Sequence, residues 1–304
     1  MQPNIVVVGS SNTDMVIQVP ELPAPGETIL GGKFSVLAGG KGANQAVSAA
    51  RAGGRVCFIS KVGRDDLGKR ALEGFEKDGI DVTQIKQDPD APTGVAMIYV
   101  NDRAENCIAV AAGANENLSE TDIIAAGEMI AGASVLVVQL EIPIKTVEKA
   151  VELAAESNVI VILNPAPAQT LSDELLRHVS ILTPNETEAS LLTGLEVNDN
   201  LEAVATKLHK KGVKTVIITL GSKGSFVSSD DFSGLVPAFP VKAVDTTAAG
   251  DVFNGALAVG LAENKSLKYA VQYASAAAAL SVMRMGAQIS APADKEIKDF
   301  LSEN

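Results

Sequence analysis

The stretch AVDTTAAGDVFNGAL, residues 243–257, combines very small residues with aspartates where helical periodicity begins. The backbone N–H groups of Ala248, Ala249 and Gly250 should be unpaired at this helix N-terminus and should form an anion hole. Asp251 in the first turn would then stand beside a bound phosphate, where a carboxylate disfavours binding but can take a proton from an attacking hydroxyl. The alternative role of Asp251 is that of a first-turn acid, which stabilises a helix by at most about 1 kcal/mol.

Other acidic residues are placed where a cation could meet them. Asp245 precedes the predicted turn, and a cation is the simplest partner for it. The segment LTPNETEA, residues 182–189, places Asn185, Glu186 and Glu188 at a predicted helix start. Helix capping is the favoured explanation of that segment. The functional alternative is a group of oxygens that faces Mg²⁺ through water.

Glycines mark two further places where a ligand could approach the backbone. AGGKGANQA, residues 38–46, presents Lys41 and Asn44 before a predicted helix, although an ordinary loop explains it equally well. It is not a common nucleotide motif, because Gln45 stands where the third glycine of G-x-G-x-x-G should come. The chain also contains no G-x-x-x-x-G-K-[ST], so a P-loop enzyme and a standard dehydrogenase are both disfavoured. In ITLGSKGS, residues 218–225, two glycines after a predicted strand allow close passage of a nucleotide.

Polar side chains follow two apolar runs that are typical of buried strands. In GSSNTD, residues 9–14, Asn12 and Asp14 could hold sugar hydroxyls, because a carboxylate accepts hydrogen bonds and an amide both donates and accepts them. An Asx turn is the simpler explanation of that pair. Glu141 ends another such run, VVQLEIP. Ligands bind beyond the carboxyl ends of strands in open parallel sheets, so these groups are expected near a ligand.

Strand-length apolar runs must position these residues. The runs are continuous rather than alternating, which predicts strands buried on both faces, as in a parallel sheet. Helical patterns lie between them, and the alternation predicts a doubly wound α/β sheet flanked by helices. The runs are residues 4–9, 55–60, 134–140, 158–164 and 214–221.

Two segments, at about residues 14–38 and 92–112, break this alternation. Each contains β-like runs, and the second folds around the polar turn NDRAEN. We predict that they form a small separate sheet, a lid inserted into a single α/β domain over residues 1–304. Its apolar side must be buried against a substrate, a partner subunit or both.

Composition restricts the classes of function. With 304 residues, 46% apolar content and a net charge of −12, the chain is expected to be soluble and globular and not to bind nucleic acid. The most apolar late stretch, residues 269–283, is short and Ala-rich, which predicts a buried helix rather than a membrane span. The N-terminus lacks the pattern of a secretion signal. Cys57 and Cys107 are expected to be small buried residues in a reducing compartment, which favours the cytoplasm.

The segments GGKGANQA and DTTAAGDVFNGAL resemble the two signatures of the ribokinase, or PfkB, family of carbohydrate kinases. The resemblance covers essentially the whole chain, with GSSNTD, LNPAPA, PNETEA, ITLGSKG and GAQISAP in order. It implies an α/β fold with a β lid, through which two subunits commonly pair, and phosphoryl transfer from ATP to a sugar. Within the family, GGKGANQA and the Asn12–Asp14 pair favour D-ribose, phosphorylated at O5.

The resemblance also implies roles for individual residues. Asp251 would be the base for the 5-hydroxyl, with the anion hole at Ala248, Ala249 and Gly250. Many relatives have glycine in place of Ala248, and alanine is tolerable there if its φ is negative. The residues implied to contact ribose are Asn12, Asp14, Gly40, Lys41, Asn44, Glu141 and Asp251. Those implied to contact ATP are Asn185, Thr219, Gly221, Ser222, Gly224, Ala249, Gly250 and Ser275.

The same resemblance implies two cations. Glu188 would help to order Mg²⁺ through water. A monovalent cation, usually K⁺ in this family, would be held by Asp245, Thr247, Ser281, Arg284, Gly286 and Ser290. Two alternatives stay open: a kinase for deoxyribose, fructose or adenosine, and a sugar-binding regulatory protein that kept the fold and lost the chemistry.

Overall fold

The computed structural model describes residues 4–103, 105–197 and 200–304, and within them a nine-stranded sheet forms the centre of the molecule. The three strands at one edge pair antiparallel, and all other neighbours pair parallel. From that edge, the order is β13 (Ser233–Val236), β12 (Ser225–Ser228), β11 (Thr215–Thr219), β10 (Ile181–Leu182), β9 (Ile160–Leu163), β8 (Val135–Val138), β1 (Ile5–Val8), β4 (Val56–Gly63) and β5 (Ile85–Asp88).

Helices cover both faces of this sheet, which explains why its central strands are continuously apolar. In β1, the side chains of Ile5 and Val7 join one apolar cluster, and those of Val6 and Val8 join the cluster on the opposite face. The predicted doubly wound α/β fold is therefore confirmed. One face packs α1 (Lys41–Arg51), α2 (Asp66–Lys77), α9 (Ala249–Ala262), α10 (Leu267–Val282) and α11 (Asp294–Glu303), and the other packs α3 (Glu120–Ala125), α4 (Gly127–Ala131), α5 (Ile144–Glu156), α6 (Asp173–Arg177), α7 (Glu186–Thr193) and α8 (Leu201–Lys210).

A separate four-stranded sheet lies in the two segments that break the alternation, so the predicted small second sheet is present in the described residues. The strand Asn12–Val19 pairs antiparallel with Lys33–Gly39 and parallel with Gly94–Asn101. The strand Gly94–Asn101 also pairs antiparallel with Asn106–Ala111. Ala104, within the predicted NDRAEN turn, lies outside the described residues. The strands, in spatial order, are β3 (Lys33–Gly39), β2 (Asn12–Val19), β6 (Gly94–Asn101) and β7 (Asn106–Ala111).

The prediction that both cysteines are buried is wrong for Cys107. Cys57 is buried in β4, but Cys107 is exposed on β7. The reason is that β7 is an edge strand of the small sheet and is exposed along its whole length. None of the helices in the described ranges has the length and apolar character needed to cross a bilayer.

Candidate active site

Asp251 is a buried carboxylate held by two amides from α1. It lies in the first turn of α9 and is 5% exposed. Its Oδ2 accepts a hydrogen bond of 2.9 Å from Nδ2 of Asn44, and its Oδ1 accepts one of 2.9 Å from Nε2 of Gln45. Burial raises the pKa of Asp251, and the positive charge of Lys41 together with the two amide donors offsets part of that effect.

Two glycines allow the chain segments around Asp251 to approach so closely. A Cβ on Gly255 would lie 2.6 Å from the carbonyl oxygen of Gln45, so a side chain there would push α9 away from α1. Gly40 is the N-cap of α1 and has a φ of 89°, in the region that favours glycine, and a Cβ there would lie 2.6 Å from the Asn12 backbone nitrogen. These close approaches bring β2 and the start of α1 together.

The carboxylates of Asp14, Glu141 and Glu188 and the ammonium group of Lys41 converge beside Asp251. Burial, and then the charges of Glu141 and Asp251, raise the pKa of Asp14 to about 6. Burial acts to lower the pKa of Lys41, but the surrounding carboxylates outweigh it and raise that pKa above its ordinary value. Among the described residues, none donates a hydrogen bond to the Asp14 carboxylate. The Asp14 carboxylate, next to the Lys41 ammonium group, is therefore suited to accept hydrogen bonds from the hydroxyl groups of a sugar.

Glu141 and Asn12 are fixed by contacts with Ser10 and Asn115, two residues that sequence reasoning did not select. Glu141 Oε2 accepts 3.0 Å from the Lys41 backbone N–H and 2.6 Å from the hydroxyl of Ser10. Asn12 Oδ1 accepts 2.8 Å from Nδ2 of Asn115, which leaves the Asn12 NH₂ group to donate elsewhere. Asn115 lies 103 residues from Asn12 along the chain, so no local pattern could have indicated this contact.

The N-terminus of α9 differs from the prediction in two respects. Ala248 has a φ of +58°, so the negative φ under which alanine would be tolerable there is not present. The residue caps the helix in the left-handed region, where its Cβ is strained. The N–H of Ala249 is not free, because it donates 3.2 Å to the Thr246 carbonyl. The N–H groups of Ala248 and Gly250 have no partner within the described residues. A Cβ on Gly250 would meet nothing within 4 Å, so open space faces this end of the helix.

The residues predicted to contact a nucleotide follow β10 and β11. Asn185 and Thr219 are joined by an isolated parallel bridge, and the Thr219 N–H donates 2.9 Å to the carbonyl of Pro184. Gly221 has a φ of +57° with no atom within 4 Å of an added Cβ, and Ser222 is exposed. This edge of the sheet is therefore open to a ligand.

Gly224 and Ser275 are placed differently from the rest of that group. A Cβ on Gly224 would lie 2.1 Å from the Val236 carbonyl oxygen, so close packing of the chain after β13 already requires glycine there. Ser275 is buried in α10, the helix that packs against α9. Gly224 has no side chain and is tied to the nucleotide edge through its backbone N–H, which donates 3.0 Å to the Gly221 carbonyl. Ser275 makes no side-chain hydrogen bond within the described part of the chain.

Glu188 caps α7 and also connects the nucleotide edge to the carboxylate cluster. Its Oε2 accepts 2.8 Å from the Asn185 N–H and its own N–H donates 2.8 Å to Asn185 Oδ1, which together form the capping box that was the favoured explanation. Its Oε1 also accepts 2.9 Å from Asn185 Nδ2. Burial raises the pKa of Glu188, and its charge interacts with those of Lys41 and Asp251. The predicted nucleotide and sugar groups therefore meet at the N-terminus of α9.

The loop before α9 folds onto the chain segment that follows α10. Asp245 Oδ1 accepts 2.9 Å from the Thr247 N–H and 2.6 Å from its hydroxyl, and Asp245 Oδ2 accepts 2.8 Å from the Gly286 N–H. These contacts bring Asp245, Thr247 and Gly286 together. The remaining predicted cation residues lie at the end of α10 and just after it, where the hydroxyls of Ser281 and Ser290 donate to carbonyls of their own segment and the Arg284 side chain pairs with Glu296. Within the described residues, there is no cluster of three or more His, Cys, Asp or Glu side chains able to hold a metal.

Cavity size does not identify this site. A cavity of about 520 Å³ is lined by residues that include Leu220, Lys223, Phe226 and Leu235. Of the residues singled out in the sequence, its lining includes Glu186, from the candidate magnesium group, and none of the carboxylate cluster around Asp251. The convergence of titratable groups is the better guide, because Asp14, Lys41, Glu188 and Asp251 all have shifted pKa values and interact with one another.

Comparison with known proteins identifies the family of this chain. The model of the pfkB family carbohydrate kinases matches residues 2–294. The chain is 48% identical over 303 residues to a ribokinase of Haemophilus influenzae, with 99% of each chain covered, and 37% identical over 304 residues to a deoxyribokinase of Salmonella typhi, also with 99% of each covered. The structure of an Arabidopsis thaliana ribokinase complexed with ribose and ATP superposes with a TM-score of 0.91 at 35% identity, covering 99% of both chains. The chain belongs to the pfkB family of carbohydrate kinases.

Proposed function

We propose that this chain transfers the γ-phosphoryl group of ATP to O5 of D-ribose, with Asp251 as the general base. The observation that carries the proposal is the buried Asp251 carboxylate, held by two amide donors in the first turn of α9. At the open end of that helix, the N–H groups of Ala248 and Gly250 have no partner among the described residues. The full-length similarity to ribokinases supports D-ribose as the substrate.

Ribose is assigned to the carboxylate cluster. Asn44 Oδ1 is buried and has no hydrogen-bond partner among the described residues, so a sugar hydroxyl would satisfy it. Asp14 and Glu141 accept from further hydroxyls, and Lys41 and Asn12 donate to them. The backbone at Gly40 completes this group.

Phosphoryl transfer follows from the placement of Asp251. The carboxylate takes the proton of the 5-hydroxyl while the hydroxyl oxygen bonds to the γ-phosphorus and the bond to the β–γ bridging oxygen breaks, which releases ADP. A raised pKa makes Asp251 a better proton acceptor than an exposed aspartate. The N–H groups at the start of α9 stabilise the charge on the phosphoryl group. The residues assigned to ATP are Asn185, Thr219, Gly221, Ser222, Gly224, Ala249, Gly250 and Ser275.

Two cations would assist this reaction. Carboxylate and amide oxygens retain lone pairs beyond those that the capping box uses, so Asn185 and Glu188 fit a water-bridged Mg²⁺, which would neutralise phosphate charge when bound. Carbonyl oxygens and one carboxylate are hard oxygen donors, which fit K⁺ in the Asp245 loop. The proposed donors there are Asp245, the Thr247 carbonyl, the Ser281, Arg284 and Gly286 backbone, and Ser290.

The small sheet is proposed as a lid over the sugar and as the contact surface of a homodimer. Its exposed apolar side chains include Phe34, Val36, Ile108 and Val110. Val110 pairs with Ala96, which in turn pairs with Asp14, so Val110 shares the sheet face of a sugar residue. Because the substrate is ATP, we place the enzyme in the cytoplasm.

The test is ATP consumption with a panel of D-ribose, deoxyribose, fructose and adenosine, each with Mg²⁺, with and without K⁺. Strong turnover of D-ribose, raised by K⁺, is expected. The deoxyribokinase relative makes deoxyribose the nearest competitor. If Asn12 donates to the 2-hydroxyl, kcat/KM should favour ribose by about 10-fold or more, and equal values would move the substrate assignment to deoxyribose. Sugar binding without turnover of any panel member would favour a regulatory protein instead.

A further inference from the structure

A buried chain of amides leads away from the candidate base. Gln45 and Gln139 are both 0% exposed. Nε2 of Gln139 donates 2.6 Å to Oε1 of Gln45, and Nε2 of Gln45 donates 2.9 Å to Oδ1 of Asp251 and 3.1 Å to Oδ1 of Asn164. Gln45 stands in α1 and Gln139 directly after β8, so the central sheet anchors this chain of hydrogen bonds.

The chemistry of these partners permits only one orientation of the Gln45 amide. Asp251 as a carboxylate can only accept, and Asn164 presents its oxygen because its own Nδ2 donates 3.2 Å to the Thr183 carbonyl. Both N–H bonds of Gln45 are therefore used, and its oxygen accepts from Gln139. A reversed amide would set an oxygen against the Asp251 carboxylate.

The fold accommodates the Gln139 side chain although one of its polar atoms lacks a hydrogen-bond partner among the described residues. Its Oε1 is buried without a partner in the described residues, a cost that an apolar side chain would avoid. A Cβ on Gly9 would lie 2.1 Å from that oxygen, so residue 9 must lack a side chain for Gln139 to fit. A purely structural contact would be served better by apolar packing at this position.

We propose that Gln45 is a positioning residue that holds the Asp251 carboxylate in its ionised, acceptor-only form, and that Gln139 fixes the Gln45 amide in the orientation that does so. The proposal rests on the assignment of Asp251 as the base. The charged groups that face Asp251 are Lys41 from α1, Glu141 after β8, Asp14 from β2 and Glu188 from α7. Because negative charge predominates around Asp251, each neutral hydrogen-bond donor helps to keep its carboxyl group ionised.

The test is the pH dependence of kcat/KM for the sugar in Gln45→Met and Gln139→Met. Loss of the Gln45 donor should move the acidic limb upward by about one pH unit and so lower kcat/KM by roughly 10-fold at a pH on that limb. Gln139→Met, which leaves Gln45 in place, should move the limb in the same direction by less. The matched control is Ser48→Ala, also buried in α1, whose hydroxyl donates 3.0 Å to the Val252 carbonyl without touching Asp251. It should lower Tm without moving the limb.

The titration of the Asp251 carboxyl, followed by ¹³C NMR in the sugar-free protein and assigned with Asp251→Asn, separates this inference from the proposed function. An upward shift in both glutamine variants supports the positioning role even if no sugar is phosphorylated, in which case only the proposed function fails. An unchanged titration and an unchanged acidic limb in Gln139→Met, or in Gln45→Met where it folds, would overturn the positioning role.

Discussion

Asp251 and Asp245 lie six positions apart in one short stretch, yet their environments are opposite. Asp251 is 5% exposed, and burial raises its pKa above the ordinary value despite two amide donors. Partial burial acts in the same direction on Asp245, but hydrogen bonds from Thr247 and the Gly286 N–H outweigh it and hold its pKa below the ordinary value. A carboxylate with a raised pKa suits proton abstraction, whereas one with a lowered pKa suits a permanent negative charge. The surroundings, and not the residue type, therefore assign the two roles.

The strongest test of this contrast is Asp251→Asn. The amide keeps the shape but cannot accept the proton of the sugar hydroxyl, so kcat should fall by roughly 10² to 10⁴. Isothermal titration calorimetry should still detect sugar binding, because the neighbouring residues are unchanged. Near-normal turnover in this variant would remove Asp251 from the role of base.

Asp14→Asn extends the contrast to a second carboxylate with a raised pKa. Loss of a charged acceptor should raise the KM for the sugar by about 10- to 100-fold. The same change should raise Tm at pH 7, because the pKa of Asp14 is about 6 in the folded protein and 3.8 ordinarily, so its ionisation opposes folding. That gain should be full above pH 6 and should disappear as the pH falls toward 4, where wild-type Asp14 is protonated in the folded protein. A Tm difference that does not depend on pH would be inconsistent with this explanation.

Asp245→Asn should have a smaller effect, in the opposite sense on stability. It weakens the bonds to Thr247 and Gly286 and should cost about 1 kcal/mol at neutral pH. Because the folded pKa is lowered, wild-type stability from Asp245 is present above the ordinary pKa of 3.8 and is lost as the pH falls through the folded value. Stimulation by K⁺ should be lost. Full K⁺ stimulation in the variant would separate Asp245 from the cation site.

The smallest expected effect comes from the residue that caps α9. Ala248 has a φ of +58°, so Ala248→Gly should relieve strain of about 1 kcal/mol and raise Tm. The matched control is Ala249→Gly, one position later and inside the helix, which should lower Tm by a similar amount. Equal changes of Tm in the two variants would contradict the strain at Ala248.

Sequence analysis identified strands and helix starts, which depend on local patterns, and missed contacts between residues that are far apart in the chain. The apolar runs predicted the parallel sheet, and the small residues before Asp251 predicted a helix start, because both signals lie within a few residues. Gln45 was considered only as a missing glycine, yet its amide reaches Asp251 across 206 positions and Gln139 across 94. Such contacts depend on how α1, α9 and β8 pack, and single-sequence patterns carry no record of that packing.

The positive φ of Ala248 was not predicted, for a different reason. Alanine rarely adopts a positive φ, so the sequence favours a negative value, and here the tertiary structure imposes the rarer conformation at the start of α9. Strain of this kind, next to the candidate base, is typical of functional sites. Sequence propensity alone predicts the opposite.

The most direct test of the central claim is a side-by-side measurement of kcat for D-ribose in Asp251→Asn and Asp245→Asn, at saturating ATP and Mg²⁺, with and without K⁺. Each variant removes one negative charge from the same stretch. The account predicts that Asp251→Asn loses roughly 10² to 10⁴ in kcat under both conditions, while Asp245→Asn keeps the K⁺-free rate of the wild type and loses only the response to K⁺. Equal losses in the two variants, or a larger loss in Asp245→Asn, would contradict the assignment of Asp251 as the base.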